Sequence, residues 1–309
     1  MTDSGKRKAD GFLHRWLRVS RANFLPVSLL PFCLGAAWAF SQGYRDWLLT
    51  LLGLAGAGVV HLSANLFNEY WDYRYQADRP AGERSPHYGG SGAIQEGVVS
   101  PRRVLAAAWA SLLAALAVAA GLALLENNLL ILVLAAAGGA IAWGYTAPPL
   151  RLVYRGGGEA ALWLAFGPLL TSGGYLLAAG SLSGAVLLLS FGPGLIMMAL
   201  LTANEFGDTG DDARAGKRNL VVRVGPRRGR ILFLLFLFLS YLVPSIGVIA
   251  GVFPVSSLLV ILSLPPAILA ASALGRGVRG EGGFAGSSRL MILTYNLYHL
   301  FLIAGITIL

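Results

Sequence analysis

Long apolar stretches constrain this chain more than any other feature of its sequence. Nine of them reach the roughly 17 to 25 residues that a helix needs to cross a bilayer. Of the 309 residues, 56% are hydrophobic and only 13% are charged, against about 25% charged in soluble domains. The sequence therefore predicts an all-α integral membrane bundle of nine transmembrane helices. The predicted spans are 22–40, 47–70, 103–124, 128–146, 160–180, 184–206, 230–252, 255–275 and 288–308.

The basic residues predict how the bundle is oriented. If the N-terminus lies in the cytoplasm, all of the 24 Lys and Arg residues except Arg45 fall in cytoplasmic segments or at their edges. We therefore expect an N-in, C-out protein of the cell (inner or plasma) membrane. Long Arg-containing loops, 72–102 and 207–229, follow the second and sixth spans, which predicts two four-helix halves plus a ninth helix. A basic cytoplasmic segment, 1–21, precedes a single transmembrane domain, 22–309.

Composition also excludes several classes of function. The net charge of +9 is explained by membrane topology, because the basic residues sit between apolar spans, so we expect no nucleic-acid partner. Cys33 is the only cysteine and lies within the first span, which excludes disulfides and a cysteine-built metal site. We interpret the first span as an uncleaved helix instead of a signal peptide.

The first candidate site lies at the end of the second span, in the stretch HLSANLFNEYWDYRYQAD. On a helix, Asn65, either Asn68 or Glu69, and Asp72 are three or four residues apart and share one face, with His61 one turn deeper. Polar groups on such a face are costly in lipid, so they are functional candidates.

A second acidic stretch, NEFGDTGDD, repeats this design at the end of the sixth span. Asn204, Asp208 and Asp212 are each four residues apart. Both stretches face the cytoplasm in the predicted topology, so we expect one site between them. Carboxylates in this arrangement offer hard oxygen ligands, which suit Mg²⁺ better than Zn²⁺. Acids that face one another also repel, and therefore need cations between them.

Basic residues beside the two stretches point to a phosphate ligand. Mg²⁺ bound by one or two carboxylates usually shares its coordination shell with substrate phosphates. Lys217, Arg218, Arg151 and Arg155 are placed to contact phosphate oxygens, or are ordinary cytoplasmic charges. A diphosphate at the mouth of an apolar bundle implies a substrate with a hydrocarbon tail, such as a polyprenyl diphosphate. Metal-assisted loss of diphosphate would leave an allylic cation for an electron-rich acceptor to attack.

At these residues the sequence resembles a known family. NEYWDYRYQAD is similar to the first aspartate-rich motif of UbiA-type intramembrane prenyltransferases, and DTGDDARAGKRNLVVRVG to the second. GGSGAIQEGVVS, YTAPPLRLVYRGGGE and DARAGKRNLVVRVG resemble the branch that contains 1,4-dihydroxy-2-naphthoate polyprenyltransferase of menaquinone synthesis. Glu69, where Asp is common, and Gln76, where Gly often stands, depart from the family pattern.

The residues and the resemblance together give three sets of candidates. The predicted ligands for Mg²⁺, expected as two ions bridging the diphosphate, are Asn68, Glu69, Asp72, Asp78, Asn204, Asp208 and Asp212. The predicted catalytic residues are Asp72, Asp208, Asp212, Lys217 and Tyr145. The predicted substrate-binding residues are Asn68, Arg151, Lys217, Asn65, His61 and Arg218. For His61 and Asn65, a satisfied polar contact between helices is the alternative to a wall of the acceptor pocket.

The resemblance implies a transferase that joins a polyprenyl group to an aromatic acceptor. With 1,4-dihydroxy-2-naphthoate as acceptor, the products are demethylmenaquinone, diphosphate and CO₂. Other acceptors stay open: 4-hydroxybenzoate, a tetrapyrrole or a glycerol phosphate lipid. A cation-coupled transporter is the rival from another class, although the acids cluster at one membrane face instead of the midplane. The DGxxAR signature of CDP-alcohol phosphotransferases is absent from the sequence.

Overall fold

The computed structural model describes residues 11–77 and 90–308, which form helices and connecting turns without any β-strand in those two ranges. Short 3₁₀ turns cover Ala22–Phe24 and Leu152–Tyr154, a nine-residue 3₁₀ segment covers Val255–Ser263, and a π-helical turn covers Ala165–Leu169. The α-helices are α1 (Phe12–Val19), α2 (Leu25–Ser41), α3 (Trp47–Arg74), α4 (Pro101–Leu125), α5 (Leu129–Gly144), α6 (Gly158–Leu164), α7 (Leu170–Ala179), α8 (Gly184–Arg214), α9 (Leu220–Ile249), α10 (Leu264–Val278) and α11 (Phe284–Thr307).

A helix stands at each of the nine places where the sequence predicts a span. Within the described ranges, eight of these helices are long and apolar enough to cross a membrane. The remaining one, α5, has 16 residues and is shorter than the predicted segment 128–146. The eight are Ala22–Ser41, Trp47–Arg74, Pro101–Leu125, Gly158–Ala179, Gly184–Arg214, Leu220–Ile249, Val255–Val278 and Phe284–Thr307.

The two helices that carry the acidic stretches are longer than predicted. The predicted spans 47–70 and 184–206 end too early, because α3 has 28 residues and α8 has 31. At 1.5 Å per residue these helices are about 42 and 46 Å long, whereas the hydrocarbon core of a bilayer is about 30 Å thick. The helices continue beyond the apolar sequence because the polar stretches contain no proline. The acidic residues thus lie in the last turns of continuous helices.

The two halves of the bundle are the helices of the first four predicted spans, α2 to α5, and those of the next four, α6 to α10; these two groups contact each other mainly where α2 packs against α7. A Cβ atom added to Gly35 would overlap the carbonyl oxygen of Thr171, and one added to Gly174 would overlap the carbonyl oxygen of Phe32. The backbones of α2 and α7 therefore touch directly, which is how membrane helices gain packing energy from small residues. The last helix, α11, packs against both α2 and α8 and joins the halves on the other side.

We expect the close packing of α2 against α7 to contribute to the stability of the bundle. Gly35→Ala and Gly174→Ala add one methyl group where a backbone carbonyl already lies, so each should lower the free energy of unfolding by about 2 kcal/mol. Gly121→Ala is the matched control, since no atom lies within 4 Å of its added Cβ. Equilibrium unfolding in detergent micelles measures all three. Equal stability of the Gly121 and Gly35 variants would contradict this description of the contact.

Candidate active site

A cavity of about 420 Å³ lies among helices α2, α3, α4, α5, α7 and α8. Apolar residues line most of it, among them Gly56 of α3, Ala119 of α4, Gly138 of α5 and Leu170 of α7. At one end the lining becomes polar and charged. This end is formed by Asn65, Asn68, Asp72, Tyr145, Asn204, Asp208, Asp211, Asp212 and Lys217. The cavity therefore offers space for a hydrocarbon chain that ends at a polar group.

Lys217 joins the two acidic stretches. Its Nζ atom lies 3.2 Å from Asp72 Oδ2 of α3 and 3.3 Å from Asp212 Oδ1 of α8. The ammonium group and the Asp72 carboxylate are nearly buried, with 13% and 3% of their side chains exposed. Burial alone would lower the pKa of Lys217, but the two carboxylates hold this pKa well above its ordinary value. Lys217 therefore stays protonated between two acids from opposite halves.

The same backbone turn ends both acidic helices. In α3, Gln76 adopts the left-handed conformation and the N–H of Ala77 donates to the carbonyl of Asp72 at 2.9 Å. In α8, Gly216 is left-handed and the N–H of Lys217 donates to the carbonyl of Asp212 at 2.8 Å. This six-residue closure is a Schellman motif. It explains why Lys217 reaches Asp212, and it shows that Gln76 can make the turn for which the family pattern has glycine.

Three further residues hold the site together, and the spacing of the acidic residues alone did not reveal them. Asn219 donates from Nδ2 to Asp212 Oδ2 at 2.7 Å, while its Oδ1 caps α9 by accepting from a backbone N–H at 2.9 Å. Tyr154 places its hydroxyl 3.5 Å from Asp72 Oδ1. Glu205 is buried and accepts from the N–H of Val221 at 3.2 Å. The one available signal was Asn219, whose residue type favours a helix N-cap before an apolar run.

The donors at this end suit Mg²⁺ together with a phosphate. Asn68, Asp208 and Asn204 line the cavity beside the acid–lysine bridge, and Asn204 Oδ1 is buried without a hydrogen-bond partner. In residues 11–77 and 90–308, no three His, Cys, Asp or Glu side chains converge closely enough to hold an ion by themselves. Mg²⁺ sites with substrate phosphates need only one or two carboxylates, the remaining ligands being phosphate and water oxygens. The residues therefore fit Mg²⁺ that is bound together with a diphosphate.

Comparison with known proteins identifies the family. The model of the UbiA prenyltransferase family matches residues 28–295, which is most of the chain. The chain belongs to the UbiA prenyltransferase family. It is thus a multi-pass membrane protein of a prenyltransferase family, as the acidic motifs predicted.

Several relatives of this UbiA protein are named as transferases that act on a naphthoate or a naphthoquinone. It is 31% identical to 1,4-dihydroxy-2-naphthoate octaprenyltransferase of Mycobacterium tuberculosis, over 87% of this chain and 88% of the relative. It is 30% identical to the protein of the same name from Escherichia coli, over 70% of both chains. A 2-carboxy-1,4-naphthoquinone phytyltransferase from Synechocystis is 37% identical over 42% of this chain and 43% of the relative.

Solved structures share the UbiA fold at lower identity. The apo structure of a UbiA homologue from Aeropyrum pernix K1 aligns with a TM-score of 0.66 and 20% identity, covering 91% of this chain and 96% of that one. A UbiA homologue from Archaeoglobus fulgidus, bound to GPP and Mg²⁺, aligns with a TM-score of 0.60 and 18% identity, covering 94% and 99%. These similarities establish the all-helical UbiA architecture of the chain.

Three predicted site residues of this UbiA protein do not line the cavity. Glu69, predicted as a metal ligand, is buried against the following loop, where its two oxygens accept from the N–H and the Oγ of Ser91 at 2.9 and 2.5 Å. It lies about 100° around α3 from Asn68, so it faces a different neighbour. Arg218 is exposed, and its backbone N–H donates to Val153.

Arg151, the third of these residues, stacks its guanidinium over two tyrosine rings. Its Cζ atom lies 4.2 Å from the ring centroid of Tyr75 and 4.3 Å from that of Tyr154. Arg151 is therefore connected to the site by Tyr154, because it stacks on the ring of Tyr154, whose hydroxyl lies beside Asp72. Asp78, predicted as a ligand, lies outside the described residues.

Asn65 and His61 line the cavity about one and two turns away from Asn68 along α3, toward the middle of the helix. The Nδ1 atom of His61 lies 2.6 Å from Ser28 Oγ, and its Nε2 atom lies 3.0 Å from Asn65 Nδ2. Asn65 Nδ2 also donates to the carbonyl of Ser20 at 2.9 Å. These residues are thus satisfied contacts between helices and part of the cavity wall at the same time.

We expect Lys217 and Asp72 to be energetically coupled. Lys217→Met leaves two carboxylates without their shared cation, so without Mg²⁺ it should lower the free energy of unfolding by about 2 kcal/mol. Adding Asp72→Asn should recover about half of that loss, because it removes one of the two uncompensated charges. Unfolding in detergent with a chelator present measures the double-mutant cycle, and Arg218→Met, at the exposed neighbour, serves as control. Strictly additive effects would show that the ion pair contributes nothing.

Proposed function

We propose that this protein transfers a polyprenyl group from its diphosphate to 1,4-dihydroxy-2-naphthoate, releasing diphosphate and CO₂. The observation that carries the proposal is the lysine-bridged pair of carboxylates at the polar end of an apolar cavity. Such an arrangement suits an anionic headgroup with a hydrocarbon tail. The names of the relatives from M. tuberculosis and E. coli support this acceptor over 4-hydroxybenzoate, tetrapyrroles and glycerol phosphate lipids.

The proposed metal ligands are the cavity-lining oxygen donors of both halves. They are Asn68, Asp72, Asn204, Asp208 and Asp212; Asp78, outside the described residues, is retained as a proposed ligand from the sequence, and Glu69 is not among them. Mg²⁺ at these ligands, expected as two ions, would neutralise the charge that develops on the leaving diphosphate. The A. fulgidus homologue, which binds GPP and Mg²⁺, supports this assignment.

In the proposed reaction, the residues of the chain bind the headgroup and shield the tail. Lys217 can exchange one of its carboxylate partners for a phosphate oxygen, because its ammonium carries three N–H donors. Tyr145, at the end of α5, lines the same end of the cavity, and its hydroxyl can donate to the same headgroup. The apolar wall excludes water from the allylic carbon.

The bond changes in this reaction balance without a protein base. The C–O bond of the donor breaks, and diphosphate keeps the electron pair. A bond then forms between the allylic carbon and the ring carbon that bears the carboxylate. Loss of CO₂ returns an electron pair to the ring and restores its aromaticity. No proton has to be removed from the ring carbon, so no residue of the chain is assigned the role of a base.

We further propose that the polar end of the cavity faces the cytoplasm. Arg45 lies at the opposite end of α3, directly before the N-cap Asp46. The remaining basic residues of the described ranges lie at the ends that adjoin the acidic stretches, which the positive-inside rule places in the cytoplasm. A transporter would also contain buried acids, but it would release no diphosphate.

We expect purified protein to release diphosphate only with a polyprenyl diphosphate, Mg²⁺ and an aromatic acceptor all present. Asp72→Asn and Asp208→Asn should lower turnover at least about a thousandfold, because each removes a proposed metal ligand while keeping the shape of the side chain. Asp46→Asn is the matched control, since asparagine also caps helices and the residue lies far from the cavity. Near-normal product formation by both site variants would refute the metal assignment. A panel of the four acceptor classes identifies the acceptor in the same assay.

The apolar part of the cavity should set the length of the prenyl chain. Gly138 lines it, and no atom lies within 4 Å of a Cβ built there. Gly138→Leu would fold normally but occupy space that the tail needs, so it should shift the preference for diphosphates toward shorter chains by about tenfold. Gly121→Leu, which also adds a side chain to open space but lies outside the cavity, should leave the preference unchanged. Competition between two donors of different length measures the ratio.

A further inference from the structure

The part of the cavity wall next to α1 contains a cation that the proposed mechanism does not use. Arg21 lines the cavity together with Phe24, Ser28, His61 and Asn65. Its guanidinium stands 4.9 Å above the ring centroid of Phe24. In the part of the chain that the structure describes, no carboxylate pairs with Arg21, whereas Arg18, one turn earlier, pairs with Glu96 at 2.7 Å. Arg21 is therefore a charge available to a ligand.

Arg21 has a backbone conformation that is energetically unfavourable for a residue with a side chain. Arg21 has φ = 50° and ψ = 43°, in the left-handed region, where it links α1 to the turn before α2. A residue with a Cβ atom is strained there by roughly 1 kcal/mol, and glycine is not. The peptide before it is fixed, because Ser20 is buried and its carbonyl accepts from Asn65 Nδ2 at 2.9 Å. This hydrogen bond fixes the backbone next to Arg21, and the side chain therefore starts from a defined place on the cavity wall.

The neighbours of Arg21 form a neutral wall with hydrogen-bonding groups. Asn65 Nδ2 donates to His61 Nε2, so the ring proton lies on Nδ1 and points to Ser28 Oγ, and the imidazole is uncharged. Ser28 keeps its own proton as a donor, and Asn65 keeps Oδ1 as an acceptor. This part of the cavity wall therefore combines one positive charge with a donor and an acceptor, which matches a carboxylate beside a hydroxyl group on an aromatic ring.

The separation from the acidic end assigns this subsite to the acceptor. Asn65, beside Arg21, and Asp72, beside Lys217, are seven residues apart on α3, which is about 10 Å along the helix axis. A fused two-ring acceptor bound at Arg21 would reach toward the carbon that leaves the diphosphate. A diphosphate held by Lys217 and the acidic residues would lie about two turns of α3 away from Arg21, toward the end of that helix. The free cation therefore recognises a second, smaller anion.

We propose that Arg21 binds the carboxylate of the aromatic acceptor, with Ser28, His61 and Asn65 as the wall along which the acceptor ring lies. This inference rests on the proposed function and adds to it the residue that selects carboxylated acceptors. An arginine suits this task because its planar fork can bind both carboxylate oxygens.

The test uses Arg21→Gln and Arg21→Gly in full-length protein in detergent, with 1,4-dihydroxy-2-naphthoate as the acceptor. Both should raise the KM for the acceptor about ten- to hundredfold, as expected for the loss of a charged hydrogen-bonding partner. The KM for the prenyl diphosphate should stay within about twofold. Arg21→Gly should melt at or above the parent temperature, because glycine relieves the left-handed backbone. That pairing of weaker acceptor binding with unimpaired stability separates a ligand contact from a structural role.

Two controls complete the experiment. Arg45→Gln, at the opposite end of α3, should change neither KM. As a competitive inhibitor, 1,4-dihydroxynaphthalene, which lacks the carboxylate, should bind parent and Arg21→Gln equally well. An unchanged acceptor KM, or a rise confined to the donor KM, would overturn the assignment of Arg21 while the proposed function stands. Absence of transfer by the parent protein to any aromatic carboxylate would instead overturn the proposed function, and the Arg21 inference with it.

Discussion

The ammonium group of Lys217, held between Asp72 and Asp212, is the interaction on which the site depends. It draws together two helix ends from opposite halves of the bundle, where carboxylates facing one another across a nearly dry space would repel. The protein thus supplies one positive charge of its own to a region that is otherwise rich in carboxylates. The same group faces the place where the headgroup of a substrate would sit. Stability without ligand and affinity for an anion are therefore linked through one side chain.

Much of this arrangement follows from sequence spacing. Acids and amides four residues apart share a helix face, which is why Asn65, Asn68 and Asp72 all line the cavity. Spacing could not decide between Asn68 and Glu69, because both are polar and only the rotation of α3 within the bundle orients them. Helix length was underestimated for a related reason: hydropathy marks where lipid ends, whereas the helix ends at the turn formed by Gln76 or Gly216.

Residues in the connecting segments were harder to predict, because irregular backbone carries no periodicity. Arg151 and Arg218 have the charge that a phosphate site needs, yet tertiary structure directs one onto tyrosine rings and the other toward solvent. Tyr154 and Asn219 show the opposite case, since both support site carboxylates from outside the spaced motifs. Arg21 looked like one more basic residue of the N-terminal segment. Only the position of α1 beside α3 reveals that it borders the cavity.

The excess length of α3 and α8 affects how the protein meets its substrates. Both helices are longer than the roughly 30 Å of a hydrocarbon layer, and their last turns carry the acidic residues, while the rest of the cavity wall is mostly apolar. If the substrate has the long hydrocarbon tail proposed above, it would reach this cavity by lateral diffusion within the leaflet. Its encounter rate would then depend on its dilution by other lipids and not on the volume of the solution. Turnover should then scale with the mole fraction of donor in the lipid phase, so that adding inert lipid at constant total donor slows the enzyme.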